Sequence, residues 1–244
     1  MGSVHPYETA TGKRYRISYR RPDNRQTTER GFKTKRAAEL RLAEVEIGKA
    51  KGEYVNPSDA RETVESIAAG WLAAREHVMK PSSYRPVKSA WVTHVQPTWG
   101  ERKVGSIKHS EVQDWVSSLA RERSATTVLR AYGVLAAVLD AAVKDRRLAR
   151  NVAREVTLPR KSAGGRTYLT HQQVADLAAA SRYPLIVHLL AYTGLRWGEA
   201  TGLRVKHVDP VRRRLSVEEN AVMVGSKVVV GTPKTHEVLS LIHI

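Results

Sequence analysis

Apolar and polar residues alternate with a period of two near the start of the chain and again past Asp209, while between these stretches apolar residues recur every three to four positions. Residues 3 to 31 hold short segments of strand character. In Tyr15-Arg16-Ile17-Ser18-Tyr19-Arg20, the residues Tyr15, Ile17 and Tyr19 fall on one face, and Arg14, Arg16, Ser18 and Arg20 on the other. Pro22-Asp23-Asn24 is turn chemistry leading to a second strand near Gln26 to Arg30. From Thr34 the period lengthens: Ala37, Leu40, Ala43 or Glu44, and Ile47 predict a helix ending near Gly52. The outcome is a small sheet backed by one helix.

Proline and small polar residues at Glu53 to Arg61 break the pattern and mark a first linker. Thr63 caps a helix with Val64, Ile67, Ala68, Trp71, Leu72 and Arg75 on one side. Val87, Trp91 and Val95 mark a second helix, stopped by Pro97. Ser110-Glu111-Val112-Gln113 reads as a capping box opening a third, with Val112, Trp115, Val116 and Leu119 inward, and Val128, Tyr132, Leu135, Leu139 and Ala142 step along a fourth. Trp71, Trp91 and Trp115, set among aliphatic residues at helical spacing, are core rather than base-stacking platforms. Asn151 to Gly165 is a second, basic linker. Thr170-His171-Gln172-Gln173 opens a further helix with Val174 and Leu177 inward, and Pro184 starts a buried helix that includes Tyr192. Strands follow at Arg214 to Glu218, Ala221 to Val224 and Lys227 to Gly231. The fold class is therefore mainly α with small β elements (α+β), divided into residues 1–57, 58–158 and 159–244.

Composition adds a polyanion to this picture. The 244 residues contain 41 Lys and Arg against 24 Asp and Glu, a net charge of +17. The excess is spread evenly: 13 basic against 8 acidic residues in 1–60, 17 against 10 in 61–160, and 11 against 6 in 161–244. An isolated basic tail would load one third; an even spread suits modules that all lie along nucleic acid, each neutralised phosphate releasing counterions. There is no cysteine, which excludes disulfides and thiolate metal sites. No His-Glu-x-x-His or i, i+4 histidine pair occurs, so neither a metal nor another cofactor is expected. The apolar stretches at Val134 to Val143 and Leu185 to Tyr192 are interrupted by Asp140 and His188, and no basic leader precedes an apolar run. A cytoplasmic protein without membrane partners is expected.

Candidate chemistry gathers at Thr193-Gly194-Leu195-Arg196-Trp197-Gly198-Glu199-Ala200-Thr201-Gly202-Leu203-Arg204, running on to Asp209. Leu195, Leu203, Val205 and Val208 are apolar enough to be held in a core. Arg196 and Glu199, three apart, share a helical face. They form either an ordinary surface ion bridge or a guanidinium fork oriented by a carboxylate to grip phosphate oxygens. Hydroxyls and arginines also gather at helix starts, in Pro81-Ser82-Ser83-Tyr84-Arg85 and in Arg121 to Thr127 with Arg130, where free N–H groups favour an anion. Simple N-capping accounts for the hydroxyls equally well.

Thr-Gly-Leu-Arg-x-Gly-Glu followed by Leu-Arg-x-x-x-Val-Asp resembles the first conserved box of the tyrosine recombinases, the phage integrases. Asn151 to Arg160, Tyr168 to Val174, Ala191 to Asp209 and Thr232-Pro233-Lys234-Thr235-His236-Glu237 look like the actinobacterial phage and prophage type in particular. The resemblance implies an amino-terminal arm-type DNA-binding domain (1–57) whose sheet enters a groove through Arg14, Arg16 and Arg20. It further implies a helical, SAM-like core-binding domain (58–158) gripping DNA near Ser83, Tyr84, Arg85, Arg123, Thr126 and Arg130, and the start of a catalytic domain (159–244). In that family Arg196 would stabilise charge on the phosphate, Glu199 would support it, and Lys234 would protonate the leaving 5′ oxygen. The implied partners are double-stranded attachment-site DNA of arm and core type, three further copies in a homotetramer on DNA, and an accessory DNA-bending protein.

One part of the family pattern is missing. The chemistry needs a tyrosine nucleophile near the carboxy terminus, after a His-x-x-Arg box; here the last tyrosine is Tyr192 and no such box follows Arg196. Val238 to Ile244 also departs from the family's pattern. The expectation is a carboxy-terminally truncated gene or read of a site-specific recombinase, whose chain binds DNA and does not cleave it. The alternatives are a non-catalytic, regulatory DNA-binding remnant of an integrase and a metal-dependent nuclease, the latter opposed by the lack of clustered carboxylates or histidines.

Overall fold

The computed structural model describes residues 2–52, 54–162, 164–165, 167–232 and, for the backbone, 239–242. It is a mainly α protein with small antiparallel sheets. Two compact units are distinguished: Met1–Met79 with Pro86–Lys161, and Lys80–Arg85 with Ser162–Ile244.

The first unit begins with a three-stranded antiparallel sheet of β1 (Ser3–Thr9), β2 (Gly12–Arg20) and β3 (Gln26–Phe32), in that spatial order. Helix α1 (Lys35–Ala50), capped by the Thr34 hydroxyl, covers one face. Ile17 and Tyr19 from β2 meet Ala38 and Val45 there. Glu29 is drawn toward this layer by the Tyr19 hydroxyl at 2.7 Å and by Arg41 at 3.1 Å. Burial, then the Glu29 and Tyr54 hydrogen bonds, push the Tyr19 phenol well above the usual tyrosine range. The stripe that announces the helix is not the one it buries: Leu40 and Ile47 are 60% and 56% exposed. Each lies two residues past a buried position, about 200° around the helix.

A second, larger core is built by α2 (Val64–Val78), α3 (Pro81–Ala90), α4 (Gln96–Trp99), α5 (His109–Glu122) and α6 (Ala125–Lys144). Pro97 does not stop the second helix. The chain widens into a π-helical turn over Trp91–Val95, and Pro97 then falls in the first turn of α4, where a missing N–H is tolerated. The cap of α5 is Lys108, whose N–H donates to the Glu111 carboxylate at 2.8 Å, rather than Ser110. Trp91, Trp99 and Trp115 are buried, with Trp99 edge-on to Trp115; Trp71 packs at the margin under the Arg75 guanidinium. Helix α6 has the length and apolarity of a membrane span, and eight of its residues are buried in this core. Residues 151–158, read as linker, are part of the module. Asn151 donates to the Ala136 carbonyl and Asp140, Thr157 and Gln113 exchange two hydrogen bonds, and Ala153 and Val156 are buried.

The second unit holds α7 (His171–Ala180), α8 (Pro184–Thr193), α9 (Trp197–Gly202), the antiparallel sheet β4 (Val208–Asp209), β5 (Arg214–Val217) and β8 (Leu239–Ile242), and the hairpin β6 (Asn220–Val224) and β7 (Lys227–Gly231). The Thr170 capping box is present in full. The expected burial holds for Val174 and Leu195 and fails elsewhere. Leu177 is 50% exposed and Ala178 takes its place inside, while α8, apolar along its length, has no buried residue. Tyr192, Val205 and Val208 are exposed as well. Among the described residues of the second unit, Leu195, Ala200 and Val217 form a small buried cluster, and Val174, Ala178, Leu215 and Ala221 are buried outside it, which leaves these faces uncovered.

Candidate nucleic-acid interface

The Arg196 site is assembled by local structure. Helix α8 ends at Gly194, which adopts φ +68° and donates its N–H to the Leu190 carbonyl; only glycine takes this left-handed position without strain. Leu195 then plugs into the small core, and Arg196 becomes the N-cap of α9 in extended conformation. Glu199, 3% exposed, closes the turn twice. It accepts the Arg196 backbone N–H at 3.0 Å and the guanidinium Nη1 at 2.8 Å. Burial pushes its carboxyl up, but the Arg196 N–H, the guanidinium bond and their charge outweigh it, so the net shift is downward and the carboxylate is held ionised. The Arg196 side chain stays 61% exposed. The pair is thus a buried anion presenting an outward guanidinium fork at the start of α9.

Glycines bring α9 against the β6 hairpin. A Cβ on Gly198 would stand 2.0 Å from the Asn220 side-chain oxygen, and one on Gly202 2.8 Å from the Glu219 carbonyl. Thr201 donates to the Ala221 carbonyl at 3.0 Å, and Arg204 pairs with Glu219 at 2.9 Å. His207, buried, accepts the Arg204 N–H at Nδ1. Lys234 lies outside the described residues.

In the first unit, the face of β1–β2–β3 turned away from α1 carries the expected Arg14, Arg16 and Arg20. Strand register adds residues that the alternation in β2 alone does not reveal: His5 lies opposite Arg16 on one side and Arg30 on the other. Gly31, at φ +99°, is the extra residue of a bulge between the pairs Tyr15–Phe32 and Arg16–Arg30, which sets where Arg30 stands. Ser18 and Thr28 hydroxyls meet across the same face at 3.2 Å. Arg16 Nε is shielded from solvent and has no hydrogen-bond partner among the described residues.

The core-module candidates divide. Arg123, Thr126 and Arg130 are exposed, with Thr126 and Arg130 one turn apart on α6. Ser83 and Arg85 are exposed, and Tyr84 between them is 9% exposed.

A phage integrase central domain model matches residues 64–158, and an arm DNA-binding domain model matches residues 7–47. The integrase of Mycobacterium phage L5 is 31% identical over 208 residues, 82% of this chain and 54% of that protein. The chain belongs to the phage integrase family. A second relative, the integrase of Mycobacterium phage D29, is 29% identical over 235 residues, 92% of this chain and 59% of its own length. The chain thus spans little more than half the length of these curated relatives. Solved integrases share the fold. A lambda integrase tetramer bound to a Holliday junction superposes with a TM-score of 0.61 at 17% identity, covering 97% of this chain and 68% of that one. The Tn1549 transposon integrase in complex with a circular intermediate DNA gives 0.63 at 20% identity, covering 75% and 61%.

Proposed function

We propose that this integrase chain engages double-stranded attachment-site DNA and carries part of the active site of a tyrosine recombinase. The carrying observation is the Arg196–Glu199 arrangement, a buried carboxylate fixing an exposed guanidinium at a helix start. The parent reaction is attack of a tyrosine hydroxyl on a phosphodiester. It forms a 3′ phosphotyrosine and releases a 5′ hydroxyl, which later attacks the phosphotyrosine of the partner strand and frees the tyrosine. The bond count is unchanged, so neither nucleotide hydrolysis nor a metal is needed. Arg196 binds the equatorial oxygens as charge builds on them, Glu199 keeps its fork aimed, and Lys234 donates the proton to the leaving oxygen. The sheet face of Arg14, Arg16, Arg20, His5 and Arg30 reads arm-type DNA in a groove. Ser83, Arg85, Arg123, Thr126 and Arg130 hold core-type DNA through its phosphates. A homotetramer and an accessory DNA-bending protein complete the assembly.

This chain supplies no tyrosine after Arg196. Tyr192, on α8 and before Arg196 in the chain, is 56% exposed, with its ring parallel to those of His171 and His188 at 5.8 and 6.0 Å. We infer that this chain binds DNA and does not cleave it; the second reading is a non-catalytic DNA-binding protein that occupies attachment sites. The test is a nicked suicide duplex carrying both site types, resolved on native and denaturing gels. A mobility shift without a covalent adduct is expected. A protein–DNA adduct lost in Tyr192→Phe would overturn the non-cleaving reading, and absence of any shift would overturn the DNA reading.

A further inference from the structure

Helix α1 presents two apolar stripes, and the sheet covers one. On the outer side Arg36, Leu40, Ala43, Ile47 and Lys51 follow one another at spacings of three and four, all exposed. The inner side needs no more filling, since Ala38 is fully buried and Val45 nearly so. Charge on the helix is sorted as well. Each of its three carboxylates is paired with a cation of the same helix, Glu39 with Lys35 at 3.5 Å, Glu44 with Arg41 at 3.1 Å and Glu46 with Lys49 at 3.1 Å. Arg36 and Lys51, at the two ends of the outer stripe, make no ion pair among the described residues.

We propose that this outer face is a docking surface for an acidic amphipathic helix of another protein, its apolar residues meeting Leu40, Ala43 and Ile47 and its carboxylates meeting Arg36 and Lys51. A second copy of this chain fits poorly. Parallel pairing sets Arg36 against its own equivalent, and antiparallel pairing sets it against the second copy's Lys51, like charges in both cases. The face also lies on the far side of α1 from the open face of the sheet. If that face holds DNA, as proposed above, the stripe points away from the duplex and stays accessible to a protein bound alongside.

The test uses the full chain without DNA and a fluorescein-labelled 18-residue peptide with leucines at i, i+3, i+4 and i+7 among glutamates, at physiological salt. A scrambled peptide of the same composition controls for attraction to a +17 protein. Saturable anisotropy change is expected for the patterned peptide, with binding weakened about tenfold or more by scrambling and by the double change Leu40→Ser with Ile47→Ser. Arg36→Glu with Lys51→Glu weakens it likewise. Because all four side chains are exposed, thermal melts of these variants stay near the parent's. Equal binding of both peptides, or no effect of the serine pair, would overturn the proposal. Self-association abolished by the serine pair would also overturn it, and assign the face to a second copy. The serine pair retains duplex binding, and Arg16→Ala with Arg30→Ala retains peptide binding, so failure of the DNA reading shows up separately.

Discussion

Glu199 acts on the backbone and on a functional side chain at once, and the two actions share one charge. Its carboxyl titrates below the ordinary glutamate range in the folded state. The stabilisation it supplies is therefore full above the unfolded-state pKa and is lost as pH falls through the depressed folded value. Urea melts of the parent and Glu199→Gln should differ by about 1.5–3 kcal/mol near neutral pH, the worth of hydrogen bonds to a charged group, and converge in acid. A constant gap at all pH values would mean that shape, not charge, matters at this position. Two glycines make a contrasting pair. Gly202→Ala drives a methyl into a backbone carbonyl and should lower stability by about 1–3 kcal/mol, whereas Gly133→Ala, with nothing within 4 Å of the new Cβ, should raise it by about 0.5–1 kcal/mol. Thermal melts under one buffer condition compare them directly.

The elements show which kind of information a sequence holds. Caps were readable in part: Thr63 and Thr170 each accept the N–H three residues on, because that chemistry is settled within one turn, whereas the box read at Ser110 is closed two residues earlier, at Lys108. The Arg196–Glu199 pair was readable for the same reason. Which stripe of a helix is covered was not, since periodicity shows that residues share a face and says nothing of what lies against it. Hence Leu40, Ile47 and Leu177 point outward. Arg30 and His5 escaped notice because their place beside Arg16 depends on cross-strand register and on the Gly31 bulge. The largest departure is α8, where Leu185 is 80% and Tyr192 56% exposed. Such a contiguous apolar face should bind a hydrophobic dye. Leu185→Ser combined with Tyr192→Ser should reduce dye fluorescence and light scattering while lowering the thermal midpoint only slightly, because both side chains are mostly exposed and Tyr192 gives up only its ring contacts with His171 and His188. A large fall in midpoint would place both residues in a core.

At the scale of the whole molecule the evenly spread excess of basic residues predicts a steep dependence of DNA affinity on salt. Arg123→Ala and Arg130→Ala, read as phosphate contacts, should each reduce the slope of log K against log salt by about 1 and weaken all duplexes alike. Arg16→Ala and Arg30→Ala should instead cost about 1–3 kcal/mol on a cognate arm site and relax discrimination between duplexes. Filter binding at four salt concentrations separates the two patterns. The turn that presents Arg196 has a further bearing, on the order in which the protein takes shape. Gly194 bonds back to Leu190, Leu195 to the Thr193 hydroxyl and Arg196 to Glu199, so each link spans at most four residues. Links this short require little loop closure, whereas β5 must find β8 across more than twenty residues. In pulse-labelled hydrogen exchange during refolding, the Arg196 amide should gain protection before those of β5, leaving the turn that carries the guanidinium assembled while strands β5 and β8 are still pairing.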